Sequence, residues 1–86
     1  MKYFYKSIKD APKYPDGFKP VQNGTKAFNV NNGQILEKLR KVESGEWTKV
    51  LKNGYDKYGN EVSVHYFKSK TGKVFDVETH PGWSTW

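Results

Sequence analysis

Hydrophobic residues recur along the chain with two different periods. In the middle of the chain, four apolar residues follow the spacing of a helix with one apolar face: Ile35, Leu36, Leu39 and Val42. Asn31–Asn32 precedes them as a helix N-cap, and Ser44–Gly45 ends the pattern. We therefore predict an amphipathic helix over roughly Asn32–Val42, with a stripe that must be covered by a sheet.

The second half of the chain has the composition of β-strands. Three segments rich in β-branched and aromatic residues predict strands: Trp47–Lys52, Glu61–Lys68 and Lys73–Thr79. Turn-forming residues separate them, and Lys26–Val30 predicts a further short strand before the helix. The expected fold class is α+β, with one amphipathic helix packed on an antiparallel sheet of three or four strands.

The first 24 residues differ from the rest of the chain in their proline and glycine content. Pro12, Pro15 and Pro20 exclude a long helix and predict an extended arm over residues 1–24. Aromatic residues are interleaved with them: Tyr3, Phe4, Tyr5, Tyr14 and Phe18. We expect these rings to pack the arm onto residues 25–86, within a single domain of residues 1–86; the alternative is a surface that stacks nucleic-acid bases.

Two pairings of the last two strands are compatible with their lengths. A four-residue loop places Tyr66 opposite Phe75 and leaves one face of the hairpin apolar. A three-residue loop with a glycine bulge places Tyr66 opposite Asp76, which brings carboxylates into that apolar face. Because a slip of one residue moves every side chain to the other face, burial favours the first pairing.

The favoured pairing gathers polar groups on one face of the hairpin. His65 lies opposite Asp76, and a carboxylate beside an imidazole can fix its tautomer. His80 lies on the same face, and Lys49 joins it if Thr48 points towards the helix, which we favour because burying an unpaired lysine is costly. The alternative is an ordinary solvated sheet face.

Charge and composition narrow the functional classes. The 86 residues carry a net charge of +6, which favours a polyanionic partner such as RNA, although lysine-rich surfaces also serve solubility. Five residues are candidates for nucleic-acid contact: Lys38, Arg40, Lys41, Tyr55 and Tyr58.

The chain has no cysteine and only two histidines, so we expect no disulfide, no metal site and no cofactor. No apolar run approaches the roughly 20 residues of a membrane span, and no signal peptide is visible, so we expect no membrane association.

The polar face has the groups that cleavage of RNA without a metal requires. A general base takes the proton of the 2′-hydroxyl, a general acid protonates the leaving oxygen, and a cation stabilises the phosphorane. His65 and His80 suit the first two roles because imidazole titrates near neutrality. Lys49 or Arg40, the only arginine, suits the third.

Several segments of the chain resemble the C-terminal toxin domains of bacterial polymorphic toxins. The segments are GEWTKV from Gly45, GYD from Gly54, GNEVSVHYF from Gly59, GKVFDV from Gly72 and GWS from Gly82. The resemblance covers residues 12–84 and is to the small ribonucleases of the barnase, EndoU, colicin and RelE-like group. It implies a helix before an antiparallel sheet, metal-independent RNA cleavage on the sheet face, and a site that includes His65 and Lys49.

The resemblance also implies partners and a place of action. Such a domain acts in the cytoplasm of its target, is delivered as part of a longer secreted chain, and is held inactive by an immunity protein. We expect a monomer. Two alternatives remain open: a non-catalytic basic module that binds nucleic acid or a protein, and a small phage or plasmid accessory protein that inhibits a partner.

Overall fold

A computed structural model describes residues 14–85. They form four strands and one helix: β1 (Lys19–Asn29), α1 (Gly33–Arg40), β2 (Trp47–Tyr55), β3 (Glu61–Ser69) and β4 (Val74–Pro81). The strands form one antiparallel sheet in the order β1-β2-β3-β4. The predicted α+β class, with one helix on an antiparallel sheet, is confirmed.

Helix α1 begins where the sequence predicts it. The Oδ1 atom of Asn32 accepts hydrogen bonds from the backbone N–H groups of Gln34 and Ile35, at 3.0 and 3.1 Å, and thereby caps the helix. Leu39 is fully buried at the centre of the apolar stripe. The stripe packs on three aromatic rings of the sheet: Trp47, Phe67 and Phe75. We call the sheet face that carries these rings the helix face.

The N-terminal segment covers the opposite side of the sheet, which we call the arm face. Its buried residues are Val50, Val64, Tyr66 and Val74, and Phe18 packs against them. Tyr14 stacks on Phe18, with 5.1 Å between ring centroids, and its hydroxyl accepts a hydrogen bond from Lys52 Nζ at 2.8 Å. The prediction that aromatic rings pack the arm onto the domain is confirmed for these two rings. Tyr3, Phe4 and Tyr5 lie outside the described residues.

Two strands are longer than the sequence predicts. Strand β1 starts at Lys19, inside the segment expected to be an arm, and is irregular between Pro20 and Thr25. Strand β2 continues to Tyr55, through residues that read as a turn. Gly54 is buried there beneath the Phe18 ring and the Lys19 carbonyl, so close that a Cβ atom would collide with both. Because glycine has no side chain, the N-terminal segment can pack against the sheet at this position.

The predicted pairing of β3 with β4 is wrong. Near the turn, Phe67 lies opposite Phe75, as in the three-residue loop, because Gly72 adopts a φ of +96°. A β-bulge between His65 and Phe67 then shifts the pairing by one residue, with Asp76 at a φ of +57°. Beyond the bulge, His65 lies opposite Glu78 rather than opposite Asp76. The bulge therefore restores the alternation that keeps carboxylates off the arm face.

Candidate active site

Polar side chains gather on the helix face, beyond the rings on which α1 packs. We call this group the polar cluster, and its members are Lys49, Asn53, Ser63, His65, Asp76, Glu78, His80 and Ser84. His65 therefore shares its face with the helix. This contradicts the expectation that the helix covers the apolar face opposite His65, and it counts against the predicted catalytic role of His65. The reason is that Trp47 and Phe67, not Val50 and Val64, form the floor beneath α1. His65 itself remains half-exposed.

The imidazole of His65 is held by two hydroxyl groups. Its Nε2 atom lies 2.9 Å from Ser63 Oγ and 2.7 Å from Ser84 Oγ, and Ser84 Oγ donates to Ser63 Oγ at 3.0 Å. Ser63 has no exposed surface, so its hydroxyl is a fixed element of the sheet. Ser84 is partly exposed.

Asn53 holds the segment that carries Ser84. The Asn53 side-chain amide donates to the Ser84 carbonyl and accepts from the Ser84 N–H, both at 3.0 Å. Next to it, Trp83 Nε1 donates to the Gly54 carbonyl at 2.9 Å, and the Trp83 ring meets the edge of Tyr55. These contacts tie the chain after β4 across the ends of β2 and β3, and so place the Ser84 hydroxyl on His65.

The two histidines of the chain lie side by side. Ser63 pairs with His80 across β3 and β4, so the rings of His65 and His80 are neighbours on the same face, with 4.4 Å between centroids. His80 Nε2 lies 3.1 Å from Glu78 Oε1, and both side chains are partly exposed. The predicted meeting of both histidines on one face is confirmed.

The environment of His65 favours its neutral form. Partial burial lowers its pKa from the usual 6.5, and the positive charges of His80 and Lys49 lower it further, while Glu78 opposes them. At neutral pH, His65 therefore carries a free nitrogen lone pair and is suited to accept a proton.

Asp76 does not orient His65, which corrects our prediction. The bulge directs its carboxyl group towards Glu78 and Lys49 instead. Burial and the neighbouring Glu78 carboxylate raise the pKa of Asp76 to about 6, against the opposing effect of Lys49. Two carboxyl groups beside each other cannot both ionise without cost, so Asp76 retains its proton in weakly acidic solution.

Lys49 lies on the face of His65, as predicted, although for a different reason. Lys49 pairs with Phe67 across β2 and β3, and its Nζ atom lies 4.6 Å from the centre of that ring. It also acts electrostatically on His65 and Asp76. The sheet therefore presents one cation between the two histidines and the helix.

The five predicted nucleic-acid contacts do not form one surface. Lys38, Arg40 and Lys41 are exposed at the end of α1, over the Trp47 end of the sheet. Tyr55 is half-buried against Trp83, and Tyr58 is 77 % exposed in the loop at the other end of β2. Trp47 and Tyr55 are eight steps apart along β2, or about 26 Å. The polar cluster lies between these two groups.

Two members of the polar cluster were missed by the sequence reasoning. Asn53 was assigned to a turn, and Ser84 was given no role. Their mutual contacts join positions 31 residues apart, which no local pattern reports. The one available signal was that an asparagine and a serine flank the predicted strands near the histidines.

No other feature of the described residues suggests a metal or a membrane. Within residues 14–85, no three His, Cys, Asp or Glu side chains are grouped so that they could hold a metal ion. In the same residues, no helix combines the length and apolar character needed to cross a membrane. No protein-family model matches the chain, and no curated protein or solved structure is similar to it.

Proposed function

We propose that this protein is a ribonuclease that cleaves RNA without a metal ion, by general acid–base catalysis on the helix face. The observation that supports the proposal is the contact between the His65 and His80 rings, 4.4 Å apart, beside Lys49. Two imidazole groups in different environments are what an acid–base pair requires.

In this proposal, His65 is the general base. Its lowered pKa favours the neutral ring at neutral pH, and in the tautomer with its proton on Nδ1 the Nε2 atom can accept a proton. The Ser84 oxygen, 2.7 Å from Nε2, marks where a hydroxyl group fits against that atom. A ribose 2′-hydroxyl takes the place of the Ser84 hydroxyl and gives its proton to His65. The 2′-oxygen then attacks the neighbouring phosphorus atom.

His80 is the general acid. It is partly exposed, and the Glu78 carboxylate 3.1 Å from its Nε2 pairs with the protonated form. It delivers its proton to the 5′-oxygen as the phosphorus–oxygen bond breaks. The products are a 2′,3′-cyclic phosphate and a 5′-hydroxyl end, and the two histidines end the step with their protonation states exchanged.

Lys49 and Asp76 have supporting roles. The Lys49 ammonium stabilises negative charge on the non-bridging phosphate oxygens, as a fixed cation does for a phosphorane. Asp76, with a pKa of about 6, keeps its proton in weakly acidic solution. We infer that it adjusts the charge beside His80 rather than the orientation of His65.

The proposal includes the biological setting that the resemblance to polymorphic toxins implies. The partner is RNA, the site of action is the cytoplasm of a target cell, and an immunity protein holds the domain inactive. An inhibitor of this kind would cover the polar cluster. Expression in cells that lack such an inhibitor should therefore be toxic, and the His80→Ala variant should not be.

The test is incubation of the purified protein with a defined single-stranded RNA in the presence of EDTA. We expect cleavage to products with 2′,3′-cyclic phosphate ends. His65→Ala and His80→Ala should each lower the rate by about 10²- to 10⁴-fold, the usual contribution of a general acid or base. Neither change should unfold the protein, because both side chains are partly exposed.

The matched control is Thr79→Ala, which truncates an exposed side chain on the arm face, opposite Val64. It should keep the cleavage rate within about twofold, because exposed side chains away from a site contribute little. Undiminished cleavage by a folded His80→Ala protein would refute the assignment. Absence of cleavage by the wild type would leave the basic surface as a binding module instead.

A further inference from the structure

An exposed aromatic ring lies on the helix face, on the edge strand next to Lys49 of the polar cluster. Phe28 of the edge strand β1 is 40 % exposed and pairs with Lys49 of β2. Lys26, two residues before it on the same face, places its Nζ atom 5.8 Å from the centre of the Phe28 ring. A large ring that remains accessible between two lysines is not needed to fill the core.

We infer that Phe28, Lys26 and Lys49 bind a nucleotide of single-stranded RNA beside the scissile bond, with its base stacked on Phe28 and its phosphate held by the two lysines. The inference rests on the proposed function, since it identifies RNA as the ligand of the same face. It assigns base stacking to a residue that lies outside the polar cluster and takes no part in proton transfer.

The spacing across the sheet fits one continuous ligand. The pairing of the strands aligns one row of four residues across the helix face: Lys26, Leu51, His65 and Glu78. Lys26 and His65 are therefore two strand spacings apart, or about 10 Å. This distance is on the scale of neighbouring nucleotides, so a base on Phe28 and a phosphate at the histidines can belong to one strand of RNA.

The distribution of charge gives the ligand a direction. Lys26 lies on β1, and Lys49, in the neighbouring row, lies on β2. The carboxyl groups of Asp76 and Glu78 lie on β4. A phosphate backbone is attracted to the first side and repelled by the second. The bound strand should therefore extend from the histidines towards β1, over Phe28.

The ligand should be single-stranded because stacking needs a free base. Aromatic side chains on open sheets bind splayed-out bases, which a duplex keeps paired. Phe28 gives no hydrogen-bond readout of a base edge, so the contact should accept any base. Sequence preference, if RNA cleavage has one, should then arise elsewhere on the face.

The experiment measures binding separately from cleavage. A short fluorescent 2′-O-methyl RNA lacks the attacking hydroxyl and cannot be cleaved, so its affinity can be followed by anisotropy at fixed salt. Phe28→Ala should weaken binding by about 5- to 150-fold, the range that loss of one stacked base implies. Phe28→Trp should restore it, because a larger ring stacks at least as well.

Thr79→Ala is the control, as it truncates an exposed side chain on the arm face. Binding to a duplex of the same sequence should not respond to Phe28→Ala. A Phe28→Ala protein that binds the single strand within twofold of the wild type, or a wild type that does not bind it, would overturn the inference. Cleavage that does not depend on Phe28 would overturn the inference and leave the proposed function intact. Binding that depends on Phe28, without cleavage of ordinary RNA, would overturn the proposed function and leave the stacking contact intact.

Discussion

The two faces of the sheet differ in what covers them and in what they bury. The arm face is apolar around Val50, Val64 and Val74, and the N-terminal segment closes it with Phe18. The helix face is apolar only beneath α1 and carries the polar cluster beyond it. A short helix, of eight residues, leaves half of a sheet face uncovered. We conclude that the arm face stabilises the fold and that the helix face divides between stability and chemistry.

The largest effect on stability is expected at the centre of the helix. Leu39→Ala removes a fully buried side chain from between Trp47, Phe67 and Phe75. It should lower the free energy of unfolding by about 2 to 5 kcal/mol, as loss of a buried leucine does elsewhere. The control Glu37→Ala, on the exposed side of α1, should change it by less than about 0.5 kcal/mol. Chemical denaturation measures both; a loss below 1 kcal/mol for Leu39→Ala would show that the helix is not part of the core.

The arm face should be sensitive at Gly54. A methyl group there collides with the Phe18 ring and the Lys19 carbonyl, so Gly54→Ala should cost about 1 to 3 kcal/mol. Gly33→Ala is the matched control, because no atom lies within 4 Å of its added Cβ, and it should be neutral or slightly stabilising. If both variants unfold at the same denaturant concentration as the wild type, the arm does not seat on the sheet.

A smaller effect should appear in the pH dependence of stability. Folding raises the pKa of Asp76 from 3.8 to about 6. Between these pH values the folded state therefore holds a proton that the unfolded state has lost, and the contribution of Asp76 to stability falls as the pH rises. Asparagine does not titrate and tolerates the φ of +57°. Asp76→Asn should therefore gain stability relative to the wild type from pH 4 to pH 6.

Asp56→Asn provides the contrast to this variant. Hydrogen bonds from Asn60, above all from its backbone N–H, lower the pKa of Asp56, so its contribution to stability is present above the ordinary carboxyl pKa and is lost as the pH falls. Relative to the wild type, Asp56→Asn should lose stability as the pH rises. Denaturation curves measured at several pH values decide the matter; equal trends for the two variants would contradict the placement of Asp76.

The smallest effect concerns the pH profile of cleavage. Lys49 lowers the pKa of His65, so Lys49→Gln should move the rising limb of the profile to higher pH. Lys52→Gln makes the same change of charge on the arm face and should not move it. A fall in rate without movement of the limb would show that Lys49 does not act on His65.

The sequence predicted the elements better than their pairing. Regular spacing indicated α1 and its cap at Asn32, because these features depend on neighbouring residues. The bulge at Asp76 was not predictable, since aspartate adopts positive φ only occasionally and no glycine marked the position. The observed partner of His65 is two residues beyond the predicted one, and a shift of two preserves facing. The meeting of both histidines was therefore predicted correctly from an incorrect register.

The central claim is that His65 removes the proton of a ribose 2′-hydroxyl. It is tested most directly with a DNA oligonucleotide that contains a single ribonucleotide, incubated with the protein in EDTA, with the His65→Ala variant in parallel. The account predicts that the wild type cuts only after the ribonucleotide and leaves a 2′,3′-cyclic phosphate, and that the variant does not cut. Cutting of the all-DNA strand, a different end group, or an unchanged rate in the variant would contradict it.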